Sequence, residues 1–74
     1  MINQDEILYW ESYWPNGNLE STQHLLNGRL HGYYKSYYHD GKIHAKGDYI
    51  NDEFNGYWEW FNVNGVIKEK DFYL

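Results

Sequence analysis

An all-β fold, a single antiparallel twisted sheet of about six strands meandering through three stacked β-hairpins, follows from three observations. First, the chain repeats itself. Gly17, Gly41 and Gly65 are 24 residues apart, as are Asn3, Asn27 and Asn51, and Tyr9, Tyr33 and Tyr57. The same spacing relates Trp10, Tyr34 and Trp58; Tyr13, Tyr37 and Phe61; and Leu19, Ile43 and Ile67, with no gap needed anywhere. A fixed period of this length marks a stacked repeat, so residues 1–74 form one domain of units 1–24, 25–48 and 49–72. Second, each unit carries tight-turn chemistry. Third, the segments between turns are rich in aromatic and β-branched residues, lack proline and are too short for typical helices.

Taken in order, the expected strands are 8–14, 19–26, 33–39, 43–50, 57–63 and 66–73. Within each pair the chain reverses at Pro15-Asn16-Gly17-Asn18, Asp40-Gly41-Lys42 and Asn64-Gly65, where Asn, Asp and Gly accept positive φ at little cost. Between pairs, longer connections are expected at Asn27–Gly32 and Asn51–Gly56.

Pairing residue 14 with 19, 12 with 21 and 10 with 23 puts Trp10, Tyr34 and Trp58 on one side of the sheet. Ser21 and Gln23, Ala45 and Gly47, and Glu69 and Asp71 share that side. Rings from strands two apart can then lie over the small residues between them, which gives a one-layer sheet its core. Leu30 and Phe54, in matching loop positions, are candidates to fold over the rim. The opposite, wetter side carries Tyr9, Glu11, Tyr13, His24, Tyr33, Lys35, Tyr37, His44, Tyr57, Glu59 and Phe61. A bulge would swap the two sides locally.

Composition supports a fold built on rings. Trp, Tyr and Phe make up 22% of the 74 residues, and a disordered chain would be poor in them. No cysteine is present, which excludes disulfides and a Cys-based zinc site. The net charge of −5 disfavours nucleic acid and anionic membrane as partners, since both ask for a basic footprint. With an acidic N-terminus and no long apolar run, a cytoplasmic protein is the expectation.

The unit Gly-Tyr-Tyr-x-x-Tyr-Tyr-x-x-Gly-x-Ile is carried by Gly32, Tyr34, Tyr37, Gly41, Ile43, Tyr49, Asn51 and Gly56. Its counterparts are Trp10, Tyr13, Gly17, Leu19, Asn27, Gly28, Trp58, Phe61, Gly65 and Ile67. This pattern resembles the MORN repeat, and within it the bacterial variant found in YwqK-family antitoxins. Leu8 in place of Gly, and Gln4 and Asp52 in the column of Gly28, depart from it. The resemblance implies hairpin repeats stacked into an elongated sheet that binds proteins and sometimes lipid, with no catalytic residues and no cofactor. The antitoxin likeness implies a cytoplasmic immunity or neutralising protein.

The residues themselves give chemistry little support. His24, His31, His39 and His44 fall in four different repeat columns without metal-ligand spacing, so no metal site is expected. Glu11 and Glu59 share a column but are expected four strands apart, with Lys35 between them, which suits a solvated face better than a catalytic pair. The rows Tyr9, Tyr33, Tyr57 and Tyr13, Tyr37, Phe61, with Glu11 and Glu59, are the candidate partner-binding residues. A second small core or a dimer contact explains those rows equally well. Charged residues on the first and last strands suit a monomer or a closed homodimer. The leading expectation is a non-enzymatic protein-interaction module, with a toxin as one possible partner. The alternative is an aromatic-cage repeat for choline or carbohydrate, suggested by Gly56-Tyr57-Trp58-Glu59-Trp60-Phe61.

Overall fold

The structure, a computed structural model, describes residues 6–74. Asn3, Gln4 and Asp5, which belong to the repeat columns and the first edge, lie outside the described residues. The chain forms β1 (Ile7–Tyr13), β2 (Leu19–Leu26), β3 (Arg29–Leu30), β4 (Gly32–Tyr37), β5 (Ile43–Ile50), β6 (Glu53–Phe61) and β7 (Ile67–Tyr73). They make one antiparallel sheet in the order β1-β2-β4-β5-β6-β7, with the short β3 paired to β2. The molecule is a slab of 46 × 33 × 10 Å, one sheet thick.

The three hairpin turns are copies of one another. Trp14 N–H donates to the Asn18 carbonyl at 2.7 Å, Tyr38 to Lys42 at 2.8 Å and Asn62 to Val66 at 2.8 Å. Gly17, Gly41 and Gly65 take φ of 91°, 94° and 83°, a region that L side chains rarely adopt. The same columns also join hairpin to hairpin. Trp14 Nε1 donates to the Tyr37 carbonyl at 3.1 Å, and one unit later the Tyr38 hydroxyl donates to the Phe61 carbonyl at 2.6 Å. The third residue in this column, Asn62, turns back on its own hairpin. Its Oδ1 accepts from the N–H groups of Asn64 at 2.9 Å and Val66 at 3.1 Å.

The connections between units differ from the long loops expected at Asn27–Gly32 and Asn51–Gly56. Each is a two-residue turn with positive φ at both central positions: Asn27 and Gly28 at 52° and 80°, Asn51 and Asp52 at 50° and 69°. This is the turn whose twist matches the flanking strands. Pairing therefore resumes at once, Leu26 with Arg29 and Ile50 with Glu53, which creates β3 and starts β6 four residues earlier than expected. Asp52 ties the two turns together: its N–H donates to the Leu30 carbonyl at 2.9 Å, and its Oδ1 accepts from Leu30 N–H at 2.7 Å.

Within hairpins the expected register holds from Leu8↔Leu25 through Ser12↔Ser21, and it holds at the equivalent pairs of the other two. It then slips by one residue between Ser12 and Tyr13, Ser36 and Tyr37, and Trp60 and Phe61. The residue left over is Glu20, His44 or Lys68, so the bulge itself has the 24-residue period. His44 was expected on the wetter side; the bulge puts its Nδ1 3.0 Å from Ser36 Oγ and its ring 5.0 Å from that of Tyr38.

The core is concentrated in the last two units. Trp58 is 1% exposed and lies flat on Gly47, where a Cβ would stand far inside van der Waals contact of the indole. Its Nε1 donates to the Asp48 carbonyl at 2.8 Å. Tyr34 and Trp58, on strands two apart, approach to 5.9 Å between centroids across Gly47. Tyr49 and Phe54 close the cluster at 5.0 and 4.6 Å from Trp58, so Phe54 does fold over the rim. Trp10, expected in the core with its repeat partners, is 61% exposed. It stands on the edge strand β1, with no preceding strand among the described residues to supply the small residue that Gly47 of β5 supplies to Trp58.

Candidate protein-docking face

The register assembles the expected binding residues on one side of the slab. Glu11 faces Thr22, Thr22 faces Lys35, Lys35 faces Lys46, Lys46 faces Glu59 and Glu59 faces Lys70. This polar ladder crosses the whole sheet. Tyr9, Tyr33 and Tyr57 flank it on one side, paired with His24, Asp48 and Phe72. Tyr13, Tyr37 and Phe61 flank it on the other, paired with Leu19, Ile43 and Ile67. The structure thus brings all eight candidates onto one surface.

The rings are exposed yet held. Tyr57 is 72% exposed, and Tyr9, Tyr13 and Tyr33 are also exposed. Glu11 accepts from both flanking hydroxyls, Tyr9 at 2.7 Å and Tyr13, so one carboxylate orients two rings. These hydrogen bonds hold the Glu11 carboxyl below the usual range, Tyr13 first and Tyr9 second. Reciprocally, the hydrogen bond to Glu11, then partial burial and the Glu11 charge, push Tyr9 up to about 12, and Tyr13 rises from the same causes. Tyr9 also leans on His24 at 5.3 Å, whose Nδ1 lies 2.7 Å from the Tyr33 carbonyl. Tyr57 packs edge-on against Phe72 at 4.7 Å.

Two lysines side by side would repel. They splay instead: Lys35 Nζ sits 5.5 Å from the centre of the Tyr33 ring, and Lys46 reaches Glu59 at 3.7 Å and the Phe61 ring at 5.8 Å. Lys35, Lys46 and Lys70 stand against Glu11 and Glu59 along the ladder, and Asp48 beside it brings this face close to neutral.

Glu11 on β1 and Glu59 on β6 are separated by β2, β4 and β5. At about 4.8 Å per strand the gap is roughly 19 Å, too wide for a shared acid–base step. Among the described residues no group of three His, Asp or Glu is placed to hold a metal ion. The rings of Gly56–Phe61 do not converge on a cage. Tyr57 and Phe61 face one way and Trp58 and Trp60 the other, with Trp58 already covered.

The model of the family described as "MORN repeat variant" matches residues 8–27 and 30–51. The chain belongs to that MORN family. The two matched segments are the first two hairpins with their connecting strands, and the third hairpin of this MORN protein repeats their turn, bulge and pairing. MORN repeats are in general non-catalytic modules that bind protein or lipid. No curated protein and no solved structure matches the chain.

Sequence reasoning missed a second feature on the core side. A hollow of about 490 Å³ opens between the first and second hairpins, bounded by Trp14, Tyr34 and Tyr38 and floored by Ser12, Ser21, Gln23 and Ser36. The bulge residues Glu20 and His44 also line it. The available signal was a comparison down one repeat column, where Ser12 and Ser36 stand in place of Trp60.

Proposed function

We propose that this MORN protein is a non-enzymatic docking module that grips a partner protein through the tyrosine-flanked ladder. The observation that carries this is a pair of ring rows on one face, exposed at Tyr9, Tyr13, Tyr33 and Tyr57, with Glu11 accepting from Tyr9 and Tyr13 and so orienting both rings. Tyr supplies a large, rigid contact at little entropic cost, and restraint before binding lowers that cost further. A face of 46 × 33 Å offers about 1,500 Å², more than the roughly 800 Å² each partner buries in a standard interface. The near-neutral face and the net charge of −5 favour protein over an anionic bilayer.

The finer reading is an antitoxin or immunity protein that acts in the cytoplasm by covering a toxin. The acidic excess would then steer a basic partner into the encounter. Affinity capture from the native source, beside a Tyr9→Ala/Tyr33→Ala/Tyr57→Ala variant shown to fold, tests both levels. One dominant protein held by the parent and lost by the variant supports the docking face, and a toxin as that protein supports the finer reading. Recovery of the same protein by both refutes the face.

A further inference from the structure

On the side opposite the ladder, we infer that the hollow between the first two hairpins receives the guanidinium of an arginine side chain from a partner polypeptide. The hollow exists because of a substitution within the repeat. In the third hairpin Trp60 packs against Trp58 at 5.8 Å; the same column holds Ser12 and Ser36 in the first two, and the space a ring would fill stays open.

Its walls carry rings and polar groups that are mostly engaged with one another or with the backbone. Trp14 Nε1 already donates to the Tyr37 carbonyl, and the Tyr38 hydroxyl to the Phe61 carbonyl. Ser12 and Ser21 share a hydrogen bond of 2.6 Å, Gln23 Nε2 donates to Ser21 at 3.0 Å, and Ser36 is engaged with His44. The Glu20 carboxylate is half-buried and forms no ion pair among the described residues, and no Lys or Arg lines the space. The bulge at Glu20 is what brings that carboxylate into the hollow. Aromatic walls, hydroxyl and amide oxygens, and one carboxylate with no ion-pair partner among the described residues suit a flat, donor-rich cation that stacks and hydrogen-bonds at once, which is guanidinium chemistry. No Lys or Arg is there to pair with the carboxylate of a free amino acid, so the occupant is a side chain within a polypeptide. Tyr37 belongs to both sites, but Tyr9, Tyr33 and Tyr57 do not line the hollow, so the triple tyrosine variant leaves it intact.

The experiment is an NMR titration of the isotopically labelled full chain with N-acetyl-arginine amide, beside the uncharged isostere N-acetyl-citrulline amide. Saturable shifts of the Trp14 indole N–H and the Ser36 and Gln23 amides are expected at millimolar arginine amide. Glu20→Gln should weaken binding by about tenfold, and the citrulline compound should be weaker by a similar factor. Ser36→Trp, which installs the residue of the third hairpin, should abolish the shifts while the chain stays folded. Equal binding of the two compounds, undiminished binding by Glu20→Gln, or no shift up to about 50 mM would each overturn the inference.

Discussion

Gly47→Ala isolates the contact on which the core depends. Gly47 is buried in β5 with Trp58 lying on its backbone, and an added Cβ would overlap Cδ2, Cε2 and Cγ of that ring at once. All three are ring atoms of a residue 1% exposed and enclosed by Tyr34, Tyr49 and Phe54, so the indole has no rotamer to retreat into without displacing a neighbour. Overpacking costs about 1–3 kcal/mol, and complete loss of a buried tryptophan about 3–5. The usual gain from replacing glycine, about 0.4–1 kcal/mol through the unfolded chain, offsets little of this. A net loss of about 2–4 kcal/mol would be a large fraction of the roughly 4–11 kcal/mol expected for a domain this size. At about 4–8 °C per kcal/mol it lowers Tm by about 8–32 °C. Urea and thermal unfolding followed by tryptophan fluorescence measure it, with Gly47→Ala repeated in a Trp58→Leu background. There the penalty should largely vanish. A parent-like Tm for Gly47→Ala, or an equal penalty in both backgrounds, would refute the account of the core.

Two further outcomes follow from the hydrogen bonds. Glu11 is held below its usual range in the folded state, so the stability it adds is present above about pH 4.5 and is lost as the pH falls through its folded value. Tyr9 is raised, so its contribution is present below pH 10 and is lost as the pH rises toward about 12. Thermal melts across pH should therefore show a plateau between these limits, and Glu11→Gln should flatten both shoulders and return the Tyr9 absorbance titration toward pH 10. Separately, Tyr38→Phe removes the hydroxyl that joins the second hairpin to the Phe61 carbonyl, for a loss of about 1 kcal/mol measured by urea unfolding.

Much of this architecture could be read from the residues because the repeat supplies three copies of each signal. The turn glycines, the long strands and the pairing from Leu8↔Leu25 to Ser12↔Ser21 all follow from spacing and side-chain alternation. The bulge did not, because Glu20, His44 and Lys68 share no chemistry that announces an unpaired position. The tight turn at Asn27-Gly28 carries the same Asn-Gly signal as the hairpin at Asn64-Gly65, whereas the one at Asn51-Asp52 could not be read, since positive φ at Asp52 is bought with a tertiary hydrogen bond to Leu30 that local sequence does not contain. Trp10 was misplaced for a third reason: a column shows which residues are equivalent, not which of them has a neighbouring strand to lie on. The eight candidate binding residues were legible as a surface, whereas the hollow was not, because it is defined by a ring that two units lack.

The column Trp14, Tyr38, Asn62 gives the molecule a direction. Each of the first two hairpins lends a donor to the hairpin that follows, while the last satisfies itself. Detaching the first hairpin frees backbone donors such as His31 N–H but strands no side-chain donor of the remaining pair among the described residues; detaching the third leaves the Tyr38 hydroxyl without its acceptor and strips Trp58 from Gly47. Because each unit touches only its neighbours, the sheet behaves as a short linear array of couplings of unequal strength. It should open like a zipper from the β1 end, with amide exchange fastest in the first hairpin and slowest across β5 and β6.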